Sequence, residues 1–380
     1  MKSLFTGQDI VETPDVFTPG IKLKLLTSDT SVSSKLDIKF TEFSSIPVIR
    51  GVSVDISWGD IETAYDVFDW TFMDDIVARA NALSASRGDP FYVTFILSWR
   101  EFKSEDGVSK ILPSYLHGDG GTYTGDPNWN HTLYDYAYAF RNSNQPGSYG
   151  YNLKLWEPLV LERAENLFKH IAKRYDKNPT VVCIATEETA SGVTAVDPSD
   201  RSAMSYSQSL QELGQVEYVR AMRRHFQHTR VSVSLNFSRD TVKDNWQPIL
   251  QELRINVNCP NANYQGALIT VGDPQGALLY YPGYNGVYMT TVGFQGDDYI
   301  DDENLPNNIL RPSYADMYAR AKDVLQVNEI EMMVRYNEWY GLGDANVPGQ
   351  GSLQDFLKTY PAIINGGISG GLISTVPTYY

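Results

Sequence analysis

The chain has 380 residues, of which 42% are hydrophobic and 20% charged, a balance that suits a packed globular core and excludes a disordered chain. Its formal net charge of −15 would repel phosphate backbones and anionic headgroups, so nucleic acid and membrane surfaces are excluded as expected partners. No run approaches the ~18 apolar residues of a membrane span, and the N-terminus lacks the apolar stretch of a secretory signal. Two cysteines, Cys183 and Cys259, make neither a disulfide framework nor a thiolate zinc site.

In chain order, short β-rich runs alternate with amphipathic helical stretches, the pattern of a parallel sheet. Residues 21–26 (Ile-Lys-Leu-Lys-Leu-Leu) supply a first strand and residues 51–57 a second, ending at Trp58. A helix is expected from Trp70 to Ala85, with Phe72, Ile76, Val77 and Ala80 at helical spacing and Trp70 as a packing residue. The run 91–97 reads as strand three, with Ser98-Trp99-Arg100 at its end. Residues 104–152 show no periodicity, and a loop of that length is functional or a small subdomain. Helix 155–175 and strand 180–186 follow, then helix 207–225 and strand 230–236. A helix near 246–253 leads to strands expected at 266–271 and 286–292. Helix 313–324 precedes a strand at 331–336, and a last helix spans 353–364. Segment 371–376 is either an extra terminal strand or strand eight itself. The expected architecture is one α/β domain over 1–380, a (β/α)8 TIM barrel with a long insertion after strand three, at 104–152 on the active-site face.

Three stretches combine chemistry with position. Trp58-Gly59-Asp60-Ile61-Glu62 is followed by Tyr65-Asp66-Val67-Phe68-Asp69-Trp70. Ala172-Lys173-Arg174-Tyr175 and Asn178-Pro179-Thr180 lead into a strand closing on Thr186-Glu187-Glu188-Thr189. Arg335-Tyr336-Asn337-Glu338-Trp339-Tyr340 closes a late strand. Over residues 45–190 this resembles the clan of retaining glycoside hydrolases built on (β/α)8 barrels, which includes cellulases, mannanases and β-galactosidases. The resemblance implies an acid/base Glu at the end of strand four, Glu187 or Glu188, although Thr186 stands where the clan usually has Asn. It also implies a second carboxylate at the end of strand seven. Glu338 fills that position if 331–336 is strand seven. If 331–336 is strand eight, strand seven closes on Phe294-Gln295-Gly296-Asp297-Asp298, and Asp297 or Asp298 is the available acid.

Cleaving a glycosidic bond requires a proton for the departing oxygen and an anion facing the oxocarbenium ion, which two carboxyls in different environments supply without a cofactor. Strand alternation lets one of Glu187 and Glu188 face the barrel interior; Glu187 would do so together with Cys183 and Ala185. Trp58, Trp99, Tyr336 and Trp339 would form a sugar platform, and Arg100 or Arg335 would orient a hydroxyl or carboxylate of a carbohydrate substrate. The five histidines are scattered, so no metal is expected; the acidic run at 297–303 reads as a solvated loop. Two other readings stay open: a carbohydrate-binding or structural barrel that has lost a carboxylate, and a polysaccharide lyase using Tyr or His as base on a uronate.

Overall fold

A computed structural model describes residues 17–25, 33–101, 110–116, 118–119, 122–123, 136–141, 149–189, 207–235, 246–259, 290–294, 313–335, 339–341 and 351–375. Eight parallel strands close into a barrel: β1 (Gly20–Leu25), β2 (Ile49–Ile56), β3 (Tyr92–Leu97), β4 (Val181–Glu188), β5 (Arg230–Ser234), β6 (Asn256–Cys259), β7 (Thr290–Phe294) and β8 (Glu329–Met333). Each strand pairs with its sequence neighbours, and β1 closes the ring against β8 through Gly20↔Glu329 to Lys24↔Met333.

The elements form where apolar side chains recur on one face. In β1, Ile21, Leu23 and Leu25 point outward into the hydrophobic layer beneath the helices, as do Val52, Val54 and Ile56 of β2. The helices answer with their own stripes. Met73, Ile76, Val77, Ala80 and Leu83 are the buried residues of α2 (Thr71–Arg87), which follows α1 (Ser33–Ser44). Pro158 opens α3 (Pro158–Tyr175), where its missing N–H costs nothing, and Lys173 and Arg174 complement the dipole at the other end. Ser207 caps α4 (Gln208–His225) by accepting from the Leu210 N–H.

Two corrections concern the strand count. Strand six is β6 at 256–259, not 266–271, which lies outside the described residues; in β6 only Val257 and Cys259 face outward, too few to mark a strand against two asparagines. The described part of segment 371–376, residues 371–375, forms no strand: Gly367–Ser369 is a 3-10 turn, and Gly370 and Gly371 follow with φ of 61° and 79°. The left-handed conformation of those glycines breaks extended pairing. The strand at 329–333 is therefore the eighth, and Glu338 follows β8 and not β7.

Beyond β3 the chain carries a small antiparallel sheet, in which 149–153 pairs with both 137–141 and 100–101. It is tied to the barrel by the Leu153 N–H donating to the Trp99 carbonyl at 3.0 Å. The next residues are clamped by α4, since Gln211 accepts from the Leu155 N–H and donates to the Leu153 carbonyl, both at 3.3 Å. Gly214 lets α4 come that close, because a Cβ there would stand 2.2 Å from the Leu155 carbonyl oxygen. Gly214→Ala is thus expected to destabilise the fold by about 1–3 kcal/mol through overpacking, despite the ~1 kcal/mol that alanine gains in a helix. A lowered urea midpoint would show it, and a raised midpoint would mean the helix simply shifts.

Candidate active site at the barrel mouth

Among the described residues the inner face of the barrel is largely polar, beside a small apolar cluster of Ile96, Val182, Cys183 and Ala185, and lacks the Val/Ile/Leu filling usual for this architecture. Alternation sends Lys22 and Lys24 of β1 inward, with Ser53 and Asp55 of β2, Thr94 of β3, Arg230, Ser232 and Ser234 of β5, and Glu329 and Glu331 of β8. These side chains form two levels.

In the lower level, the Lys22 ammonium meets the Glu329 carboxylate at 2.7 Å and donates to Thr94 Oγ1 at 2.9 Å. Arg230 reaches the same carboxylate at 3.4 Å, donates to Thr18 Oγ1 at 2.9 Å, and donates through Nε to the Val182 carbonyl at 3.2 Å. Burial would raise the Glu329 pKa, but the charges of Lys22 and Arg230 outweigh it and hold the carboxyl below its ordinary range. Cys183 sits beside this level, its thiol pushed up to about 11, chiefly by burial. It is a core thiol and not a nucleophile.

The upper level opens toward the C-terminal ends of the strands, where barrels of this kind hold their sites. Lys24 Nζ lies 3.1 Å from Asp55 Oδ1, whose side chain keeps 26% of its surface exposed. Burial works against the Lys24 ammonium, but Asp55, Glu331 and Glu187 overcome it and raise its pKa. Lys24 therefore stays charged as a hydrogen-bond donor and has no free amine for imine chemistry. Glu331 shifts oppositely to Glu329: burial holds its carboxyl above the ordinary range against the pull of Lys24. Among the described residues, one cation thus faces three carboxyls in the upper level, and two cations face one carboxyl below.

At the end of β4, Ala185 pairs with Ser232, whereas Glu188 and not Glu187 stands opposite Ser234. This irregularity inserts a residue, and such bulges re-aim side chains beside active sites. Strict alternation therefore does not choose between the two glutamates beyond Ala185. Glu187 is half-buried and close enough to act on the charge of Lys24.

Three expected platform residues are instead core. Trp58, Trp99 and Trp339 are each no more than 1% exposed. The Trp58 indole donates to Glu62 at 2.7 Å. Trp99 packs edge-on against Tyr218 of α4 at 5.2 Å between centroids. Trp339 donates to Glu42 at 2.8 Å and meets Phe43 edge-on at 5.6 Å, so it anchors the turn after β8 to α1. A ring enclosed on both faces has no face left for a sugar. Arg100 is buried at the root of the small sheet, in register with Asn152, and Arg335 is half-buried just beyond β8. Tyr336, Glu338, Asp297 and Asp298 lie outside the described residues, as does the side chain of Glu188.

Sequence reasoning missed Lys24, Asp55 and Glu331. Their signal was the polar half of each alternating strand, Lys-Leu-Lys, Ser-Val-Asp and Glu-Ile-Glu. Among the described residues, no group of three or more acidic, histidine or cysteine side chains is arranged to hold a metal ion, and no helix is long and apolar enough to cross a membrane.

No protein-family model matches the chain, and no curated protein matches it in sequence. Solved structures do. The fold is similar to endo-glycoceramidase II from Rhodococcus sp., at 16% identity over 91% of this chain and 80% of that one, with a TM-score of 0.52. It is also similar to the catalytic domain of beta-amylase from Paenibacillus polymyxa, at 12% identity over 91% of this chain and 98% of that one, with a TM-score of 0.51. At these identities the likeness shows the barrel fold.

Proposed function

We propose that this chain hydrolyses an O-glycosidic bond of an oligo- or polysaccharide at the mouth of its barrel. Glu187 or Glu188 is the general acid/base, and Glu338 is the facing carboxylate. The observation that carries this reading is the glutamate pair at the bulged C-terminal end of β4, of which Glu187 borders the polar cup of the upper level on the face where such barrels act. The structural neighbours support it by name, and endo-glycoceramidase II has been solved as a lactosyl-enzyme intermediate. In the barrel order, β4 and β8 stand on opposite walls, so carboxyls following them can flank a sugar seated between. One protonates the leaving oxygen while the other, ionised, faces the developing positive charge or activates water. Arg335, at the rim beyond β8, and Arg100 would serve to orient substrate.

A second reading, a barrel that binds carbohydrate without cleaving it, draws on the position of Glu338 after β8, one strand away from where the clan resemblance places its second carboxylate. Reducing-end release from a panel of bacterial and plant polysaccharides separates the two. Wild type is expected to release sugar. Glu338→Gln and one of Glu187→Gln and Glu188→Gln are each expected to lose at least a hundredfold in rate, the scale of a general acid or base. Full activity in Glu338→Gln would move the second role to Asp297 or Asp298. Binding without release by wild type would establish the second reading.

A further inference from the structure

The inner face of β6 carries polar atoms that the lower and upper charge levels do not use. Asn256 and Asn258 alternate with the outward Val257 and Cys259 and stand in register with the inward Ser232 and Ser234. Both asparagines are buried, Asn258 to 6% exposure, and the side-chain Oδ1 of each accepts no hydrogen bond among the described residues. A buried amide oxygen without a donor keeps the full cost of losing its water, so such an atom is one that water or a ligand satisfies. Asn258 is the penultimate residue of β6 and therefore lies toward the mouth. Across the barrel, the Lys24 ion pair fixes Asp55, with part of its carboxylate open to solvent.

We infer that Asn258 and Asp55 are specificity-determining residues, accepting hydrogen bonds from the hydroxyls of a neutral sugar ring in the cup and excluding a uronate. This rests on the glycosidase reading of the same site. A neutral sugar brings a donor with every hydroxyl, which is what an unfilled amide oxygen and a partly open carboxylate lack. A uronate replaces one hydroxyl with a group that has no proton to give. It would sit beside Asp55, Glu187 and Glu331, and among the described inward side chains of the upper level the one cation to offset it, Lys24, is already paired. Rejection by a like charge and an unmatched acceptor is a stronger discriminator than a change in shape.

Calorimetric titration of the whole chain tests this, using matched pairs of oligosaccharides: gluco- with glucurono-, manno- with mannurono-, and galacto- with galacturono-oligosaccharides. At least one neutral member is expected to bind, with its uronate counterpart at least tenfold weaker. Asn258→Ala should weaken the neutral ligand about tenfold, Asn258→Ser should recover part of that loss, and Asp55→Asn should narrow the gap between neutral and uronate ligands. An unchanged urea midpoint in the Asn258 variants shows that the fold is intact. The inference is overturned if the uronate binds as tightly as its neutral partner. It is equally overturned if Asn258→Ala stays within twofold of wild type, as water-filled oxygens would predict, or if no ligand binds. Because the readout is binding, absence of hydrolysis with the expected affinities defeats only the catalytic reading, and hydrolysis indifferent to Asn258 defeats only the specificity inference.

Discussion

Glu329→Ala is expected to lower the unfolding free energy by about 3–5 kcal/mol, because it leaves two buried cations without their shared anion. Lys22 and Arg230 are at most 1% exposed and cannot turn to water. A loss of that size is a large share of the ~5–15 kcal/mol that holds a domain together. Glu329→Gln, which keeps an acceptor for Lys22 and Arg230, should cost less. The pH dependence has a definite sign. The carboxyl is held below its ordinary value of 4.5 in the fold, so its stabilisation is fully present above that pH and fades as pH falls through the depressed folded value. Urea unfolding followed by tryptophan fluorescence at pH 7 and in steps below pH 4.5 measures both effects. A cost under 1 kcal/mol for the alanine variant would mean that water reaches the lower level and screens its charges.

Glu62→Gln is expected to be nearly as damaging as Glu62→Ala, at about 3 kcal/mol or more for a fully buried, paired carboxylate. Glu62 is surrounded by donors: the Trp58 indole at 2.7 Å, the Tyr115 hydroxyl at 2.8 Å, the Asp66 backbone N–H at 3.1 Å, and the Arg163 guanidinium. A carboxylate accepts from all four, whereas an amide must turn its own NH2 against at least one of them. Arg163 would keep its contact with Asp66 at 2.9 Å, which lies partly in solvent and replaces little of the loss. Comparing the midpoint shifts of the Gln and Ala variants is the test. A Gln variant close to wild type would show that the site tolerates a flipped amide. Together with the Glu329 pair, the series separates two kinds of buried carboxylate: one whose partner can be kept by an amide, and one that needs four acceptor directions.

The Glu62 cluster also explains why the motif around Trp58 was legible but its role was not. Trp58, an acidic residue and a Tyr-Asp-Trp helix start were visible in order, and they resembled a substrate-facing motif. The same indole either lines a cleft or fills a core, and the choice depends on what stands above it. Here Tyr115 and Arg163, distant in sequence, close over the motif through Glu62. Trp99 and Trp339 were decided in the same way, by Tyr218 and by Glu42 with Phe43. A tryptophan's burial is a property of its neighbours.

The sequence by itself determined the class of fold. Outward apolar residues repeat every second position in β1, β3 and β5 and over 52–56 of β2, and along the stripes of α2 and α3, because helices packed on a parallel sheet demand it. It also marked the β4 glutamates, since a carboxylate pair ending a barrel strand stands where this architecture concentrates chemistry. Only the tertiary structure decided the strand count, because ring closure of β1 on β8 assigns 329–333 to the eighth position and leaves β6 to a four-residue strand with half its residues polar. It alone decided the interior. Lys22 and Glu329, or Lys24 and Glu331, are some 300 positions apart, and each reads in isolation as a solvated side chain on a mixed strand. Closure turns them toward one another, and burial, by removing water as the alternative partner, makes the Lys22–Glu329 pairing obligatory and leaves the charge of Glu331 acting on Lys24.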